Sequence, residues 1–458
     1  MDRLILMERV MNETRMAVLE DGKLCELYYD RPGNEKLSGN IYKARVLNGL
    51  KGMDAVFLDI GLEKNAFMQE GLLKPGTELM VQVTNEPGGT KGCRVTKTLS
   101  IPGRMIVLLP MEQSVTVSRK IASAEERQRL YSVCKRALEG TGMGAIARTA
   151  AEGADEARLE ADIASAVTLW NELKNRAEHT AAPKLLQSDS ALPLRLARDL
   201  LGLSGARVII DGEELYQECL RAANAFAPEY ASQLTKHDSP APVFDLYGVD
   251  AQADKLTGRF VWLDSGGSLV IDETEALTVI DVNTAKSSGA RTQEETILRL
   301  NTEAANMIAR LLRLKDIGGI IIIDFIDMQK DESREKLLAA LREALKRDRN
   351  RTAVVGFTGL GLVEMTRKKE RRPLSKQLGH VCPHCSGNGL VPSYETAARR
   401  AVREVWAKHR GGQTAFALRA CEGVAGWVRT IGLPQGAKVR IVSDKTMEDG
   451  AWEVTADL

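Results

Sequence analysis

Two acidic side chains and an amide occupy positions from which they could bind a metal ion. In the segment ALTVIDVN (276–283), the alternation of a β-strand places Asp281 and Asn283 on one face and apolar residues on the other. The apolar run 319–323 predicts a strand that is buried on both faces, and Asp324 ends it. Since ligands bind at strand ends in open α/β sheets, these residues form a candidate site.

The chemistry of such a site follows from its charges. Two carboxylates at neighbouring strand ends repel each other and raise one pKa unless a cation lies between them. Mg²⁺ binds oxygen ligands, commonly one or two carboxylates with water and substrate phosphate, and an adjacent amide can orient a water or a carboxylate. We therefore predict a Mg²⁺ site at Asp281 and Asp324, with Asn283 beside it; the alternative is that these residues cap a strand and a helix.

Other mechanisms have less support. The five histidines are scattered, and all lie outside these motifs, so metal-assisted hydrolysis is favoured over a two-histidine ribonuclease mechanism. The chain also lacks the G-x-x-x-x-G-K-[ST] pattern of a P-loop nucleotidase.

Two phenylalanines break the burial pattern of their strands. Phe57 in DAVFLDI and Phe67 in NAFMQ point away from the apolar face, and Lys91 follows in a Gly-rich turn. Outward aromatic rings with a nearby cation form a base-stacking platform with a phosphate anchor. The alternative is that the two rings pack against a neighbouring domain.

Basic residues are concentrated at 346–351 and 366–376. Runs of charge are usually solvated, and basic residues also suit the C-terminus of a helix. Beside a carboxylate metal site, they favour contacts to phosphate.

Cys382 and Cys385 have the C-x-x-C spacing of a zinc knuckle. A tetrahedral zinc site needs four ligands, and the chain has no second C-x-x-C. The pair could be redox-active or an inert turn, could be completed by His380 or a distant cysteine, or could share one ion between two copies of the chain.

The 458 residues must position these groups in several domains. Short strands between about 38 and 103 predict a small closed barrel of the OB type. Helices are predicted at 124–138 and 156–176, strands alternate with a helix at 293–314, and the region from about 394 is predicted to be helical. Asp21-Gly22 predicts a hairpin.

Composition restricts the class of protein further. There are 63 Lys+Arg against 62 Asp+Glu, so any polyanion partner must bind to local patches rather than to a uniformly basic surface. The N-terminus carries charges where a signal peptide needs an apolar core, and no apolar run reaches about 18 residues. We therefore expect a cytoplasmic protein without a membrane span.

Together these motifs resemble the bacterial ribonuclease E/G family over roughly residues 1–391. The segments that carry the resemblance are NIYKARV, DAVFLDIG, RTAAEG, VIDVN, GGIIIIDFIDM, GLVEMTRKK and CPHCSGNG. The order VIDVN, IIIIDFIDM and CPxC is specific, whereas each motif alone is not.

The resemblance implies an endoribonuclease that cuts single-stranded RNA, prefers a 5′-monophosphate, and matures rRNA precursors or degrades mRNA. Position by position, it implies Mg²⁺ ligands at Asp281 and Asp324 with Asn283 in support, RNA contacts at Phe57, Phe67 and Lys91, and a 5′-phosphate pocket of Arg148, Thr149 and Arg351. It also implies that Cys382 and Cys385 hold a structural Zn²⁺ shared between the two chains of a homodimer.

The implied architecture is α/β and multidomain. An RNase H-like region (1–37 and 195–257) is interrupted by an S1 barrel (38–103) and a 5′-sensor region (104–194). A DNase I-like catalytic domain (258–378), a zinc link (379–391) and a small C-terminal domain (392–458) follow. The S1 region is shorter than the family pattern between its third and fourth strands, where RNA contacts are expected. The C-terminal domain after Val391 is also short, so a dimer is expected rather than a tetramer. The rival interpretation is a catalytically silent RNA-binding protein, such as a ribosome-assembly factor.

Overall fold

The computed structural model of the chain describes residues 2–31, 37–69, 71–86, 92–189, 191–202, 206–284, 293–385, 387 and 389–457. These residues divide into two compact units, Met1–Leu378 and Gly379–Leu458, and each is described by itself. None of the helices in the described ranges is both long and apolar enough to span a bilayer.

The chain begins with an antiparallel meander. Its strands are β1 (Arg3–Val10), β2 (Glu13–Glu20) and β3 (Lys23–Asp30). The predicted hairpin between β2 and β3 is confirmed, because Asp21 and Gly22 have φ values of 49° and 76°, which the tight two-residue turn requires.

A closed barrel follows. Its strands are β4 (Ile41–Leu50), β5 (Ala55–Asp59), β6 (Ala66–Met68), β7 (Glu78–Asn85) and β8 (Arg94–Thr96). Their order is β4-β5-β6-β8-β7, and β7 pairs back onto β4. Val56, Leu58 and Val81 are fully buried inside. The predicted barrel is confirmed, and its closure is consistent with an S1-like domain.

The next region packs two helices against a small sheet. Its elements are β9 (Ile101–Pro102), β10 (Ile106–Leu109), β11 (Val115–Val117), α1 (Ala124–Ala137), β12 (Gly144–Ala147), α2 (Glu156–Glu178) and β13 (Lys184–Gln187). Both predicted helices are confirmed, and the Ser123 side chain caps α1 by accepting from the Glu126 N–H. Strand β13 returns to pair with β4 of the barrel.

The chain then comes back to the first sheet. The elements are α3 (Leu192–Arg195), a π-helical segment (Leu196–Leu200), β14 (Ala206–Ile210), α4 (Glu213–Phe226), β15 (Leu234–Lys236), α5 (Val243–Leu246) and α6 (Val249–Thr257). The sheet order is β15-β14-β1-β2-β3, so one sheet joins both flanks of the barrel region. The domain boundaries and the RNase H-like name stay predictions.

The predicted site lies in the last sheet of this unit. Its elements are β16 (Phe260–Trp262), β17 (Ser268–Glu273), β18 (Leu277–Asn283), α7 (Gln293–Leu314), β19 (Gly319–Asp324), α8 (Asp331–Leu345), β20 (Thr352–Phe357), β21 (Val363–Arg367) and α9 (Leu374–Leu378). The sheet order is β16-β17-β18-β19-β21-β20.

Only one face of this sheet is buried. Ile321 and Ile323 pack in the core with residues of α7 and α8, whereas Ile320 on the other face is 51% exposed. The prediction that 319–323 is buried on both faces is therefore wrong. An uninterrupted apolar run does not distinguish one covered face from two.

The second unit is an α/β fold rather than a helical tail, which corrects the prediction for this region. Its elements are α10 (Tyr394–Arg410), β22 (Ala415–Ala420), α11 (Glu422–Ile431), β23 (Lys438–Ser443) and β24 (Trp452–Ala456). Strand β22 lies between the other two, and Phe416 and Leu418 are fully buried in its core.

Candidate active site

The two predicted carboxylates lie side by side. Strands β18 and β19 are parallel neighbours, and Asp281 pairs directly with Asp324 at their carboxyl ends. Directly paired residues point to the same face of a sheet, so both side chains share one surface. Asn283 follows on that face, and its Nδ2 donates to Oδ2 of Asp281 over 2.8 Å. The alternation predicted for β18 is confirmed, since Ile280 and Val282 are buried on the opposite face.

Like charges accumulate at this point. Partial burial and the carboxylates of Asp281 and Asp327 raise the pKa of Asp324. Asp327 was not among the sequence-predicted residues, although it follows in the same IIIIDFIDM run. It lines the same open cavity of about 290 Å³ as Asp281 and Asp324. The site is therefore more acidic than two carboxylates alone would make it.

Polar contacts from helix α7 fix the loop that carries Asp327. Asn301 of α7 is fully buried, donates from Nδ2 to the Ile326 carbonyl over 2.8 Å, and accepts the Ile326 N–H over 3.1 Å. The Glu294 carboxylate accepts the backbone N–H groups of Gln329 and Lys330. Helix α7 thus holds both sides of the loop, which preorganises the acidic cluster.

The donor set fits a hard divalent cation. Carboxylate and amide oxygens are ligands for Mg²⁺, and a cation would relieve the repulsion that raises the pKa of Asp324. Across the described ranges, no group of three or more His, Cys, Asp or Glu side chains converges as a complete metal cage. This arrangement suits Mg²⁺, which is commonly bound by one or two carboxylates and completes its shell with water and substrate phosphate.

The two phenylalanines meet on the barrel surface. Phe57 pairs with Phe67 across β5 and β6, and their ring centroids lie 5.8 Å apart in an edge-to-face arrangement. Both rings are half-buried, with buried neighbours along each strand. Phe67 also pairs with the exposed Arg94 of β8, a cation that the sequence analysis did not single out. Lys91 lies outside the described residues.

Arg148 and Thr149 lie at the end of β12. The guanidinium of Arg148 donates from Nη1 to the Gly103 carbonyl and from Nη2 to Oδ1 of Asp199, both over 2.8 Å. The Thr149 hydroxyl lies 3.2 Å from the Ser118 hydroxyl. Burial would raise the pKa of Asp199, but Arg198 and Arg148 hold it well below its usual range. Arg148 is thus oriented by a partly buried carboxylate and stays about one-third exposed.

The basic cluster at 346–351 has mixed roles. Arg349 donates to the Tyr28 hydroxyl over 2.7 Å and pairs with Glu26, so it is a structural residue. Burial would lower the pKa of Arg349, but Glu26, Tyr28 and Asp199 raise it. Because Asp199 also binds Arg148, Arg349 in the segment after α8 lies on the same side of the fold as Arg148. Arg351 follows two residues later and is exposed, and its side chain makes no hydrogen bond or ion pair within the described residues.

The prediction for the second basic cluster, residues 366–376, is also corrected. Arg367 is buried and donates to Asp348 over 2.6 Å and to Asp316 over 3.1 Å. Arg371 also pairs with Asp316. These two residues hold the fold together, so the prediction of phosphate contacts does not apply to them.

The thiols of the knuckle lie at the surface of the second unit. Cys382 is exposed and Cys385 is half-buried. Backbone N–H groups of Gly389 and Gly387, together with Cys382, lower the pKa of the Cys385 thiol. A lowered pKa favours the thiolate, the form that binds zinc. Two thiolates supply half of a tetrahedral site.

The fold and site define a multidomain α/β protein in which strand-end carboxylates accompany an S1-like barrel. A sequence model of the ribonuclease E/G family matches residues 100–370 of the chain. The chain is 40% identical to ribonuclease G of Haemophilus influenzae over 425 residues, which cover 88% of this chain and 86% of that protein. It is 38% identical to ribonuclease G of Escherichia coli K12, with 88% of each chain covered.

Similarity extends to a longer relative. Ribonuclease E of Escherichia coli K12 is 32% identical over 88% of this chain, which corresponds to 40% of that protein. The chain therefore belongs to the ribonuclease E/G family.

Proposed function

We propose that this chain, an endoribonuclease by family, cleaves single-stranded RNA at a Mg²⁺ site formed by Asp281 and Asp324. The observation that carries the proposal is their direct pairing on one open sheet face, where repulsion raises the pKa of Asp324. When bound, Mg²⁺ supplies an activated water and neutralises charge on the phosphoryl oxygens. The cellular roles stay predictions: we expect the chain to mature rRNA precursors and to degrade mRNA, and we expect it to do so in the cytoplasm.

The protein's own residues orient the reacting groups. Asn283 keeps the Asp281 carboxylate in place through the 2.8 Å hydrogen bond from Nδ2. Its carbonyl oxygen stays available to accept a hydrogen bond from a water molecule in the cavity. Asp327 enters the cavity from a loop fixed by Asn301, and we assign it a supporting role in holding the cation or its waters.

The barrel would hold the RNA strand. Phe57 and Phe67 are arranged to stack on bases, an interaction that does not depend on sequence. Arg94 lies beside Phe67 and could bind the phosphate between stacked bases. The family resemblance assigns RNA binding to Lys91 as well, and we keep that assignment as part of the proposal.

A second surface would select the 5′ end. We propose that Arg148, Thr149 and Arg351 bind a terminal monophosphate, with Arg148 held in position by Asp199. The Ser118 hydroxyl beside Thr149 is a further donor for phosphate oxygens. Charge-assisted hydrogen bonds to a dianionic terminus are strong enough to give a measurable preference.

The zinc knuckle would join two chains. Cys382 and Cys385 provide two thiolates, and the same pair from a second copy completes a tetrahedral Cys₄ site around a two-fold axis. The proposed assembly is therefore a zinc-linked homodimer.

The test uses a single-stranded oligonucleotide with a 5′-monophosphate, incubated with the wild-type chain with and without Mg²⁺. Endonucleolytic products that require Mg²⁺ support the proposal. Binding without cleavage under both conditions would favour the rival function, a catalytically silent RNA-binding protein.

A further inference from the structure

The sheet that carries the carboxylates has an open face with an aromatic pair at its edge. Phe260 and Trp262 of β16 are 45% and 66% exposed, whereas Val261 between them is buried on the other face. Their ring centroids lie 4.9 Å apart with an interplanar angle of 74°. Trp262 is the most exposed of the five tryptophans, all of which the structure describes. Single exposed apolar residues are common on proteins, but two paired aromatic rings on one edge strand indicate a contact surface.

The strand register connects this pair to the carboxylates. Phe260 pairs with Val270, which pairs with Asp281, which pairs with Asp324. Directly paired residues share a face, so the aromatic rings and the carboxylates lie on one surface. Two strand spacings separate the backbone of Phe260 from that of Asp281, which is about 10 Å.

The strand register connects Trp262 to the Asn283 amide in the same way. Trp262 pairs with Ser268, and Ser268 pairs with Asn283. Ser268 is small and buried, and Val270 beside it is half-buried. The residues between the aromatic pair and the acidic site, Ser268 and Val270, thus have short side chains on the shared face.

We propose that Phe260 and Trp262 form a base-stacking subsite for a nucleotide close to the scissile phosphate of single-stranded RNA. The subsite rests on the proposed function, since it serves the same carboxylate site. Stacking on aromatic rings tolerates every base because each base has a π-face. The barrel phenylalanines and this pair would then hold the strand at two places.

A second copy of the chain fits this surface less well than RNA. A stable protein interface buries about 800 Å² on each partner. An interface of that size centred on Trp262 would extend over Asp281 and Asn283, because they lie on the same face within about 10 Å. It would then cover the site that the RNA must reach.

The test measures binding separately from cleavage. The full chain carries Asp324→Asn to prevent turnover, and the probe is a single-stranded oligonucleotide with a 5′-hydroxyl and 2-aminopurine at successive positions around the cut. Trp262→Ala and Phe260→Ala should each raise Kd about fivefold or more, and should change the fluorescence at positions near the cut only. Trp262→Phe, which keeps a ring, should restore most of the affinity.

Trp427→Ala is the matched control, because Trp427 is an exposed tryptophan of the second unit. If Kd and the fluorescence profile of Trp262→Ala equal those of this control, the subsite does not exist. If Trp262→Ala instead halves the native mass of the protein, the surface binds a second copy and the RNA proposal is overturned. Failure of the proposed function is a separate outcome: the wild-type chain would then not cleave the oligonucleotide, whatever the Kd values of the aromatic variants.

Discussion

Replacing Arg148 by alanine should remove the preference for a 5′-monophosphate and leave internal cleavage intact. Arg148 lies at the end of β12, and Asp199 and the Gly103 carbonyl each accept one hydrogen bond from its guanidinium. The side chain is about one-third exposed, so its remaining N–H groups can reach a ligand. The carboxylates of the candidate active site are not among its contacts in the described chain. Cleavage of RNA that lacks a 5′-monophosphate should therefore continue.

The magnitude follows from the bonds lost. A hydrogen bond to a charged group contributes about 1.5–3 kcal/mol, and each 1.4 kcal/mol is a factor of ten. Loss of one such bond to the terminal phosphate predicts a decrease of about 10- to 150-fold in kcat/KM on 5′-monophosphorylated RNA. The cost in stability should be small, about 1 kcal/mol, because Asp199 keeps its 3.0 Å ion pair with Arg198.

The assay compares two oligonucleotides that differ only in a 5′-monophosphate or a 5′-hydroxyl. In the Arg148→Ala variant, kcat/KM should become equal on both, while the value on 5′-hydroxyl RNA stays at the wild-type level. Arg136→Ala is the control, since Arg136 is an exposed arginine of the same region that pairs with the glutamates Glu156 and Glu160 of α2. Arg136→Ala should keep the wild-type preference for the 5′-monophosphate. The reasoning is refuted if Arg148→Ala keeps that preference as well.

Three further predictions concern other parts of the molecule. Phe67→Ala should raise Kd for single-stranded RNA about fivefold or more in filter binding; an unchanged Kd would mean that the ring only packs the barrel surface. Arg313→Leu should lower the free energy of unfolding in urea by about 3–5 kcal/mol, because it removes the buried guanidinium that both Glu20 and Glu26 share, and a loss below 1 kcal/mol would contradict this. Burial would raise the pKa of Glu26, but its arginine partners hold it low. The stability that this ion pairing contributes is therefore fully present at pH 7 and is lost progressively as pH falls below about 4.3, the ordinary pKa of a glutamate in the unfolded chain. The difference between wild type and Arg313→Leu should therefore narrow in acid. Cys382→Ser with Cys385→Ser should halve the native mass and release zinc, whereas a dimer that persists without zinc would contradict the shared site.

The sequence was sufficient where local pattern determines structure. Period-two alternation placed Asp281 and Asn283 on one face, and the fold confirms it, because a half-buried strand must point its polar residues away from the core. Helix α7 was predicted at its observed bounds, since its apolar residues recur along one face. The barrel was recognisable from short strands and Gly-rich turns.

Contacts between distant segments were not predictable from pattern. Arg349 was interpreted as a phosphate contact, but its partners Glu26 and Tyr28 lie more than 300 positions earlier in the chain. The exposure of Ile320 was missed for a related reason, because a sequence does not show how many faces of a sheet are covered. The Phe260 and Trp262 pair carried a signal, alternation about the buried Val261, that only the strand register connects to the active site.

The central claim is that Asp281 and Asp324 form the catalytic metal site, and one comparison tests it most directly. Asp324→Asn and the control Glu364→Gln, a half-buried carboxylate on the same sheet face, are assayed for Mg²⁺-dependent cleavage and for RNA binding. The account predicts that Asp324→Asn loses cleavage at all Mg²⁺ concentrations and keeps its Kd for RNA, while Glu364→Gln cleaves like the wild type. Mg²⁺-dependent turnover by Asp324→Asn at the wild-type rate would contradict the account.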